Sequence, residues 1–234
     1  MLRTRLSLVL PVTLVALVAA MITWSHARAQ GGVATPIPTL LLTAMQQRIA
    51  VSVSKHSGRA IPAYHCRHAP GGCEERLKAF AEYLASSGQR FGLDPWLMGA
   101  MAIKESGMNP FALGSLGEMG ILQINPGRRD AKEVRFIRDK WYRTRCRKEP
   151  GACQQEVVEH AAQVLQRSLA RCNGDLVDAL GAYNTGRCGG NLRYAKRVLT
   201  ERGELMRAVG LEAEQVVITK RRRWQRTASN GASG

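Results

Sequence analysis

The sequence predicts an all-α fold stabilised by disulfides. Apolar residues recur at helical spacing, as at Leu77, Phe80, Ala81 and Leu84, which would share one helix face. No segment alternates convincingly between apolar and polar residues, apart from a few residues near Val216. The chain also has six cysteines, and an even count is typical of disulfide-bonded exported proteins.

The length and composition suit one folded domain with a leader and tails. Of the 234 residues, 45% are hydrophobic, which is enough for a core and excludes a fully disordered protein. We expect a helical domain over residues 74–210. An N-terminal arm or linker over 30–73 precedes it, and a basic disordered tail over 211–234 follows it.

The first 29 residues have the pattern of a secretory signal peptide. Arg3 and Arg5 form a positive n-region, an almost uncharged apolar run follows from Leu6 to Ile22, and Ala27-Arg28-Ala29 is a small-x-small cleavage site. An uncleaved membrane anchor is the alternative, but the run contains Pro11 and is marginal for the ~20 residues that span a bilayer. We therefore expect an exported protein, either periplasmic or secreted.

The cysteine spacing predicts three disulfides. The loops Cys66–Cys73 and Cys146–Cys153 have equal lengths, and each has a Pro-Gly turn signal near its middle. Such a turn can bring two sulfurs together, so we pair these cysteines and leave Cys172–Cys188 as the third pair. A zinc site at Cys66 with His65 and His68 is the alternative, but zinc needs thiolates that an oxidising compartment does not favour. We expect no metal and no cofactor.

The chain is strongly basic, with a formal net charge of +16. Three of these charges, Arg3, Arg5 and Arg28, lie in the leader, which leaves +13 on the exported form. Such a charge attracts anionic polymers, and nucleic acid fits by charge alone. With an export signal we expect peptidoglycan, an anionic wall polymer or a membrane surface instead, and no nucleic acid. The basic tail from Lys220, with its run 221–224, could bind such a surface, or it could simply be solvated.

Start and stop signals place the helices along the chain. Residues 30–62 are punctuated by prolines and predicted as a loosely packed arm, within which 40–53 could form one helix. Asp94 is a helix N-cap, and Asn109-Pro110 prevents the next helix from continuing. The predicted helices are 74–89, 96–106, 130–145, 154–171, 176–184 and 191–209.

One carboxylate is expected in apolar surroundings at the end of a helix. Glu105 would share a helix face with Met98, Met101 and Ala102, whereas Lys104 would point about 100° away. Burial against methionines raises the pKa of a carboxyl group. A raised pKa suits a group that must donate a proton and later take it back. The plainer alternative is an exposed glutamate on a helix surface.

A glycine-punctuated loop follows this helix. Gly114, Gly117 and Gly120 permit positive φ and the close approach of a bulky ligand. Gln123, just after the loop, offers both a donor and an acceptor, which would suit an acetamido group. Taken singly, the glycines could merely mark turns, and Gln123 could merely cap a backbone group.

Two blocks of residues stand in a specific order along the chain. The first reads Glu105-Ser106, Asn109-Pro110, Gly117-Glu118-Met119-Gly120-Ile121-Leu122-Gln123 and Pro126, and the second reads Ala182-Tyr183-Asn184-Thr185-Gly186. Together they resemble the catalytic signature of the soluble lytic transglycosylase family, which has a goose-type-lysozyme-like fold. The resemblance covers about residues 75–205.

The resemblance implies a substrate, the glycan strands of peptidoglycan, and a role for each matching residue. Glu105 matches the catalytic acid/base, and Gln123 matches a glutamine that hydrogen-bonds the bound sugar. Tyr183 matches a tyrosine whose hydroxyl lies close to the catalytic carboxylate, unless it is a core tyrosine with a satisfied hydroxyl. Asn184 matches an asparagine in the substrate groove. The other expected substrate-binding residues are Ser106, Ser115, Met119 and Gly120.

Two positions depart from the family pattern. The family usually has a serine where this chain has Gly114, so either Ser115 replaces that serine or the sugar contact is absent. The family often has alanine where this chain has Glu118. We expect Glu118 to be an exposed loop acid. The alternatives are an added substrate contact and a second catalytic carboxylate.

The resemblance also implies a reaction that needs only one carboxylate, whereas ordinary glycosidases use two. Glu105 would protonate the glycosidic oxygen of the MurNAc–GlcNAc β-1,4 bond and then take the proton of the sugar's 6-hydroxyl. That hydroxyl closes a 1,6-anhydro ring, and the acetamido oxygen of the sugar stabilises the cation in between. No water is consumed.

Two other functions stay open on the sequence alone. One is a lysozyme-type muramidase, a hydrolase in which Glu118 or a positioned water completes the reaction. The other is a noncatalytic wall-binding component of a secretion apparatus. We expect a monomer. Wall turnover, a secretion or conjugation apparatus and phage entry are all compatible settings.

Overall fold

Helices and 3-10 turns make up most of the described residues, and one long connection, over residues 107–129, contains no helix. The computed structural model describes residues 35–50, 72–148 and 151–212. These residues contain no β-strand, only two isolated bridges around Met119, so the all-α prediction is confirmed. The helices are α1 (Ile37–Ala50), α2 (Gly72–Arg90), α3 (Pro95–Ser106), α4 (Arg135–Arg138), α5 (Lys140–Arg145), α6 (Gln155–Arg171), α7 (Leu176–Thr185) and α8 (Leu192–Ala208).

Helix α3 carries Glu105 and is the most deeply buried element. Every residue from Trp96 to Ala102 is buried, and the helix packs against α1, α2 and α8. It begins as predicted, because the Asp94 side chain accepts the N–H of Trp96 at 2.9 Å. It ends at Gly107, which adopts a left-handed conformation at φ 60°. Glu105 therefore lies in the last turn, where the helix leaves the core.

The segment predicted as a loosely packed arm contains a core helix. Leu41, Ala44 and Met45 of α1 are completely buried, and α1 packs against α2, α3 and α8. These three residues follow the i, i+3, i+4 spacing of one helix face, which explains the burial. The arm prediction is wrong for residues 37–50. The predicted leader and most of the predicted tail lie outside the described residues.

The single helix predicted over residues 130–145 is broken into three pieces. A 3-10 turn, Asp130–Glu133, precedes α4 and α5. The backbone is extended at Val134 and Asp139, where a continuous helix would need helical dihedrals. Two carboxylates make these breaks favourable. Asp139 accepts the N–H of Tyr142 at 2.9 Å, and Glu156 of α6 accepts two backbone N–H groups at the start of α4.

Two of the three predicted disulfides lie within the described residues. Cys146 is bonded to Cys153, and Cys172 is bonded to Cys188. These bonds are consistent with an oxidising compartment. The pair Cys66–Cys73 includes a residue outside the described ranges and stays a prediction. None of the described helices has the length and apolar character needed to cross a membrane.

Candidate active site

A groove of about 570 Å³ opens beside the C-terminal end of α3. We call it the Glu105 groove. It is formed by the end of α3, the loop after it, and parts of α6 and α7. Its lining residues are Glu105, Gly114, Ser115, Leu116, Glu118, Gln123, Ile124, Asn125, Arg128, His160, Val164, Tyr183, Asn184, Thr185 and Gly186.

Glu105 is held by a tyrosine from α8. The hydroxyl of Tyr194 donates to Oε1 of Glu105 at 2.5 Å. Tyr194 itself is only 2% exposed, and burial together with the charge of Glu105 raises its pKa well above the ordinary value. Tyr194 therefore keeps its proton and remains a donor, which fixes the orientation of the carboxyl group.

The surroundings of Glu105 raise its pKa into the neutral range. Burial raises the pKa of Glu105 to about 7, and the negative charge of Glu118 acts in the same direction. The hydrogen bond from Tyr194 and the charge of Arg197 oppose the rise but do not cancel it. A carboxyl group with such a pKa can donate a proton near neutral pH and take one back afterwards.

The neighbouring cation is kept away from Glu105 by a buried acid. Glu201 of α8 is 2% exposed and forms ion pairs with Lys104 and with Arg48 of α1. Burial alone would raise the pKa of Glu201, but the hydrogen bonds from these two cations hold it below its usual range. Because Lys104 is paired with Glu201, its charge is directed towards α8 and does not neutralise Glu105.

Gln123 presents an acceptor to the groove. Its amide nitrogen donates to the backbone oxygens of Ala112 and Gly120, at 3.1 and 3.0 Å. Both amide protons are therefore used within the loop, and the sequence expectation that Gln123 would offer a donor as well needs correction. The residue adopts a positive φ of 48°, which places its side chain against its own loop. Its oxygen remains for a donor on a bound ligand.

Tyr183 and Asn184 line the groove from α7, but the hydrogen bond to Glu105 comes from neither of them. The hydroxyl of Tyr183 donates to the backbone oxygen of Leu122 at 2.8 Å, so it fixes the segment next to Gln123. Asn184 accepts a 2.7 Å hydrogen bond from Asn191. The side chain of Asn191 caps α8, the helix that carries Tyr194. Burial and the charge of Glu105 raise the pKa of Tyr183 well above its ordinary value, so the Tyr183 hydroxyl lies close enough to interact with the carboxyl group, whereas the direct hydrogen bond to Glu105 comes from Tyr194.

The two departures from the family pattern are physically linked. The carboxylate of Glu118 folds back over the loop and accepts the N–H of Leu116 at 2.9 Å. A Cβ on Gly114 would overlap this carboxylate and lie 2.9 Å from the side-chain oxygen of Gln123. Only glycine therefore fits at position 114 while Glu118 lies there. Glu118 is half-buried and lines the groove, so the expectation of an exposed loop acid was wrong.

Three of the expected substrate-binding residues lie outside the groove lining. The Ser106 hydroxyl donates to the backbone oxygens of Ala102 and Ile121, so it ties the loop to the end of α3. Gly120 has φ 80°, and a Cβ there would lie 2.8 Å from Val157 of α6. Its role is close packing. Met119 lines a different cavity. Ser115, in contrast, is exposed and lines the Glu105 groove.

Sequence reasoning missed Tyr194 and two lining residues of the groove, Arg128 and His160. Tyr194 is 89 residues from Glu105 in sequence, and its position three residues after the α8 N-cap gave no sign of a contact. Arg128 and His160 also line the groove, and the neighbouring Asp130 pairs with Arg128 and Arg167. Burial lowers the pKa of His160, which favours its neutral form.

No group of three or more His, Cys, Asp and Glu side chains that could hold a metal ion occurs in the part of the chain that the structure describes. The groove lining offers the carboxyl groups of Glu105 and Glu118, the imidazole of His160, the guanidinium of Arg128, and amide and hydroxyl groups. Residues 82–200, just over half of the 234-residue chain, match the model of the family described as Transglycosylase SLT domain.

Proposed function

This chain belongs to the transglycosylase SLT domain family, whose members act on peptidoglycan, and we propose that it is a lytic transglycosylase. Its substrate is the MurNAc–GlcNAc β-1,4 bond of the glycan strand. The products carry 1,6-anhydro-MurNAc ends. The observation that carries this proposal is the placement of Glu105, a carboxyl group hydrogen-bonded by Tyr194 at 2.5 Å, in a groove large enough for a sugar chain. Burial there raises its pKa to about 7.

Glu105 acts first as the acid and then as the base. In its neutral form it donates its proton to the glycosidic oxygen, and the bond from that oxygen to C1 of MurNAc breaks. The acetamido oxygen of the same sugar bonds to C1 in its place. The Glu105 carboxylate then takes the proton of the 6-hydroxyl, whose oxygen bonds to C1 and displaces the acetamido oxygen. The carboxyl group ends protonated, as it began, but with the proton of the 6-hydroxyl; its first proton stays on the departing sugar oxygen, and no water enters the products.

The other groove residues bind and position the strand. The side-chain oxygen of Gln123 accepts a hydrogen bond from an amide N–H or hydroxyl of a bound sugar. Asn184 of α7 and Ser115 of the loop supply further polar contacts, and Tyr183 supports the backbone next to Gln123. Export places the enzyme in the compartment where peptidoglycan is found, in agreement with its disulfides.

Product analysis tests the reaction type. We expect purified peptidoglycan digested by the wild-type protein to release fragments that end in 1,6-anhydro-MurNAc. Each such fragment is lighter by one water than the corresponding reducing fragment, so mass spectrometry separates the two. Fragments with reducing ends would instead support a hydrolase, and binding without any release would support a noncatalytic wall-binding protein.

A lysozyme-type muramidase is the second candidate, because Glu118 lines the same groove as Glu105. We expect Glu118→Gln to keep anhydro products and to retain activity within about tenfold of the wild type, since removing a catalytic acid or base costs about 100-fold or more. The negative charge of Glu118 raises the pKa of Glu105, so its removal should lower that pKa. The alkaline fall in kcat/KM should then begin at lower pH than in the wild type.

The control for this variant is Glu133→Gln, which removes an exposed acid that does not line the groove. It should leave the pH profile unchanged. A loss of more than about 100-fold in Glu118→Gln, with Glu133→Gln fully active, would give Glu118 a direct part in the chemistry. A shift of the alkaline limb to higher pH would contradict the electrostatic argument.

A further inference from the structure

A second cavity, of about 300 Å³, adjoins the Glu105 groove. The loop over residues 110–119 lines both. Gly114, Ser115, Leu116 and Glu118 line the groove, whereas residues 110–113 and Met119 line the second cavity. The loop is thus a narrow boundary between them, pinned by the 2.9 Å hydrogen bond from Gly114 N–H to the Glu118 backbone oxygen.

The second cavity is cationic. Lys140, Arg143 and Arg147 line it, and no carboxylate does. We call it the cationic cavity. Arg143 is fixed in place, because its Nη1 donates to the backbone oxygens of Phe136 and Ile137 at 2.8 and 2.6 Å. Three positive charges without a lining acid attract an anionic group, and arginine donors suit a carboxylate.

The base of the cationic cavity is apolar. The rings of Phe111 and Phe136 lie 6.3 Å apart, and the guanidinium of Arg147 stands 5.6 Å from the centre of the Phe111 ring. Met119 and Ala112 complete this apolar part. A suitable ligand therefore combines carboxylates with small apolar groups, and the volume of the cavity fits a short peptide rather than a bilayer surface.

The cavity is built on constrained segments. The disulfide Cys146–Cys153 closes the chain next to Arg147. Asp139 caps α5, which carries Lys140 and Arg143. Because these elements are fixed before a ligand arrives, less entropy is lost on binding than at a flexible basic tail.

We propose that the cationic cavity binds the peptide stem of a peptidoglycan strand whose glycan lies in the Glu105 groove. This inference rests on the proposed function. Peptide stems branch from the MurNAc residues of the strand, and they carry free carboxylates together with alanine methyl groups. A stem that crosses the loop 110–119 places its methyl groups against Phe111 and Met119 and its carboxylates against Lys140 and Arg147. The enzyme therefore prefers strands that still carry their peptides.

The test compares two substrates and two double variants. The substrates are intact peptidoglycan and the same material after an amidase has removed its peptide stems. Lys140→Glu/Arg147→Glu reverses two exposed charges in the cationic cavity. Arg138→Glu/Arg145→Glu makes the same change at exposed positions of α4 and α5 outside the cavity. We expect the first variant to lose about tenfold or more in kcat/KM on intact peptidoglycan, as for a lost charge-assisted contact, and less than twofold on stripped strands.

The control variant should change kcat/KM by the same factor on intact and on stripped peptidoglycan. Equal losses of the cavity variant on both substrates, or no loss on either, would overturn the proposal. Binding of the free stem peptide, measured by NMR titration, is a second test that does not depend on turnover. It should perturb the signals of the wild-type protein and not those of the cavity variant, even if the reaction proves to be hydrolysis. Binding of phosphatidylglycerol vesicles that depends on Lys140 and Arg147, with no binding of the peptide, would also overturn it.

Discussion

Glu105→Gln should fold normally, bind peptidoglycan and lose about 100- to 10,000-fold in lytic activity, the usual contribution of a general acid/base. Glutamine has nearly the same shape as glutamate and can still accept the hydrogen bond from Tyr194, but it cannot donate or take up the catalytic proton. The measurement is the release of soluble fragments from purified peptidoglycan, with pull-down on the same material to show that binding persists.

The same variant should be more stable than the wild type at high pH. The pKa of Glu105 is about 7 in the folded protein, against an ordinary value of 4.5. Because the folded pKa is raised, ionisation of Glu105 lowers the stability of the wild type as the pH rises from about 4.5 to 7, and the cost is fully present above pH 7. At pH 8 we expect Glu105→Gln to gain about 1–3 kcal/mol in free energy of unfolding, and at pH 4 the gain should vanish.

Glu82→Gln is the matched control, because Glu82 is exposed on α2 and remote from the groove lining. It should be fully active and should show no pH-dependent gain in stability. If Glu105→Gln digests peptidoglycan at a rate close to that of the wild type, Glu105 is not the acid/base and the proposed reaction is wrong.

Tyr194→Phe should reduce activity at pH 6 by about 10- to 100-fold, since hydrogen bonds to charged groups contribute about 1.5–3 kcal/mol. The hydroxyl of Tyr194 stabilises the Glu105 carboxylate and lowers its pKa. Without this hydroxyl the pKa of Glu105 rises above about 7. The ionised carboxylate is then less stable in the step that needs a base. The alkaline fall in kcat/KM should move to higher pH, opposite to the shift expected for Glu118→Gln.

Tyr183→Phe distinguishes the roles of the two tyrosines near Glu105. It removes a hydroxyl that donates to the Leu122 backbone, so it should affect substrate binding through KM and leave the pH position of the alkaline limb unchanged. If the limb moves in Tyr183→Phe and not in Tyr194→Phe, then Tyr183 is the functional partner of the carboxylate. Urea unfolding of both variants would show whether a loss of stability explains either result.

Local signals account for the parts of the fold that the sequence predicts. Helix α3 begins after the N-cap Asp94 and ends at the chain reversal after Ser106, and both signals lie within a few residues of the helix ends. The burial of Glu105 follows from the 3.6-residue period, which places Met98, Met101 and Ala102 on its side of the helix. The family signature added the position of Gln123 and Tyr183 relative to Glu105, which helical periodicity alone does not give.

Contacts between distant segments account for most of what the sequence does not predict. The hydrogen bond of Tyr194 to Glu105 joins residues 89 positions apart. The break in the helix predicted over 130–145 depends partly on Glu156 of α6, which accepts two N–H groups of α4. The burial of α1 depends on α2, α3 and α8, although its apolar spacing was visible in the sequence.

The 2.5 Å hydrogen bond from Tyr194 to Oε1 makes the two carboxyl oxygens of Glu105 chemically inequivalent. With Oε1 serving as acceptor, the acidic hydrogen of the neutral form is carried by Oε2. In the proposed reaction a single oxygen atom thus gives up the hydrogen and later recovers one. The glycosidic oxygen must then leave the anomeric carbon on the same face of the sugar ring from which the 6-hydroxyl attacks it. This is the stereochemical requirement for closing a 1,6-anhydro bridge.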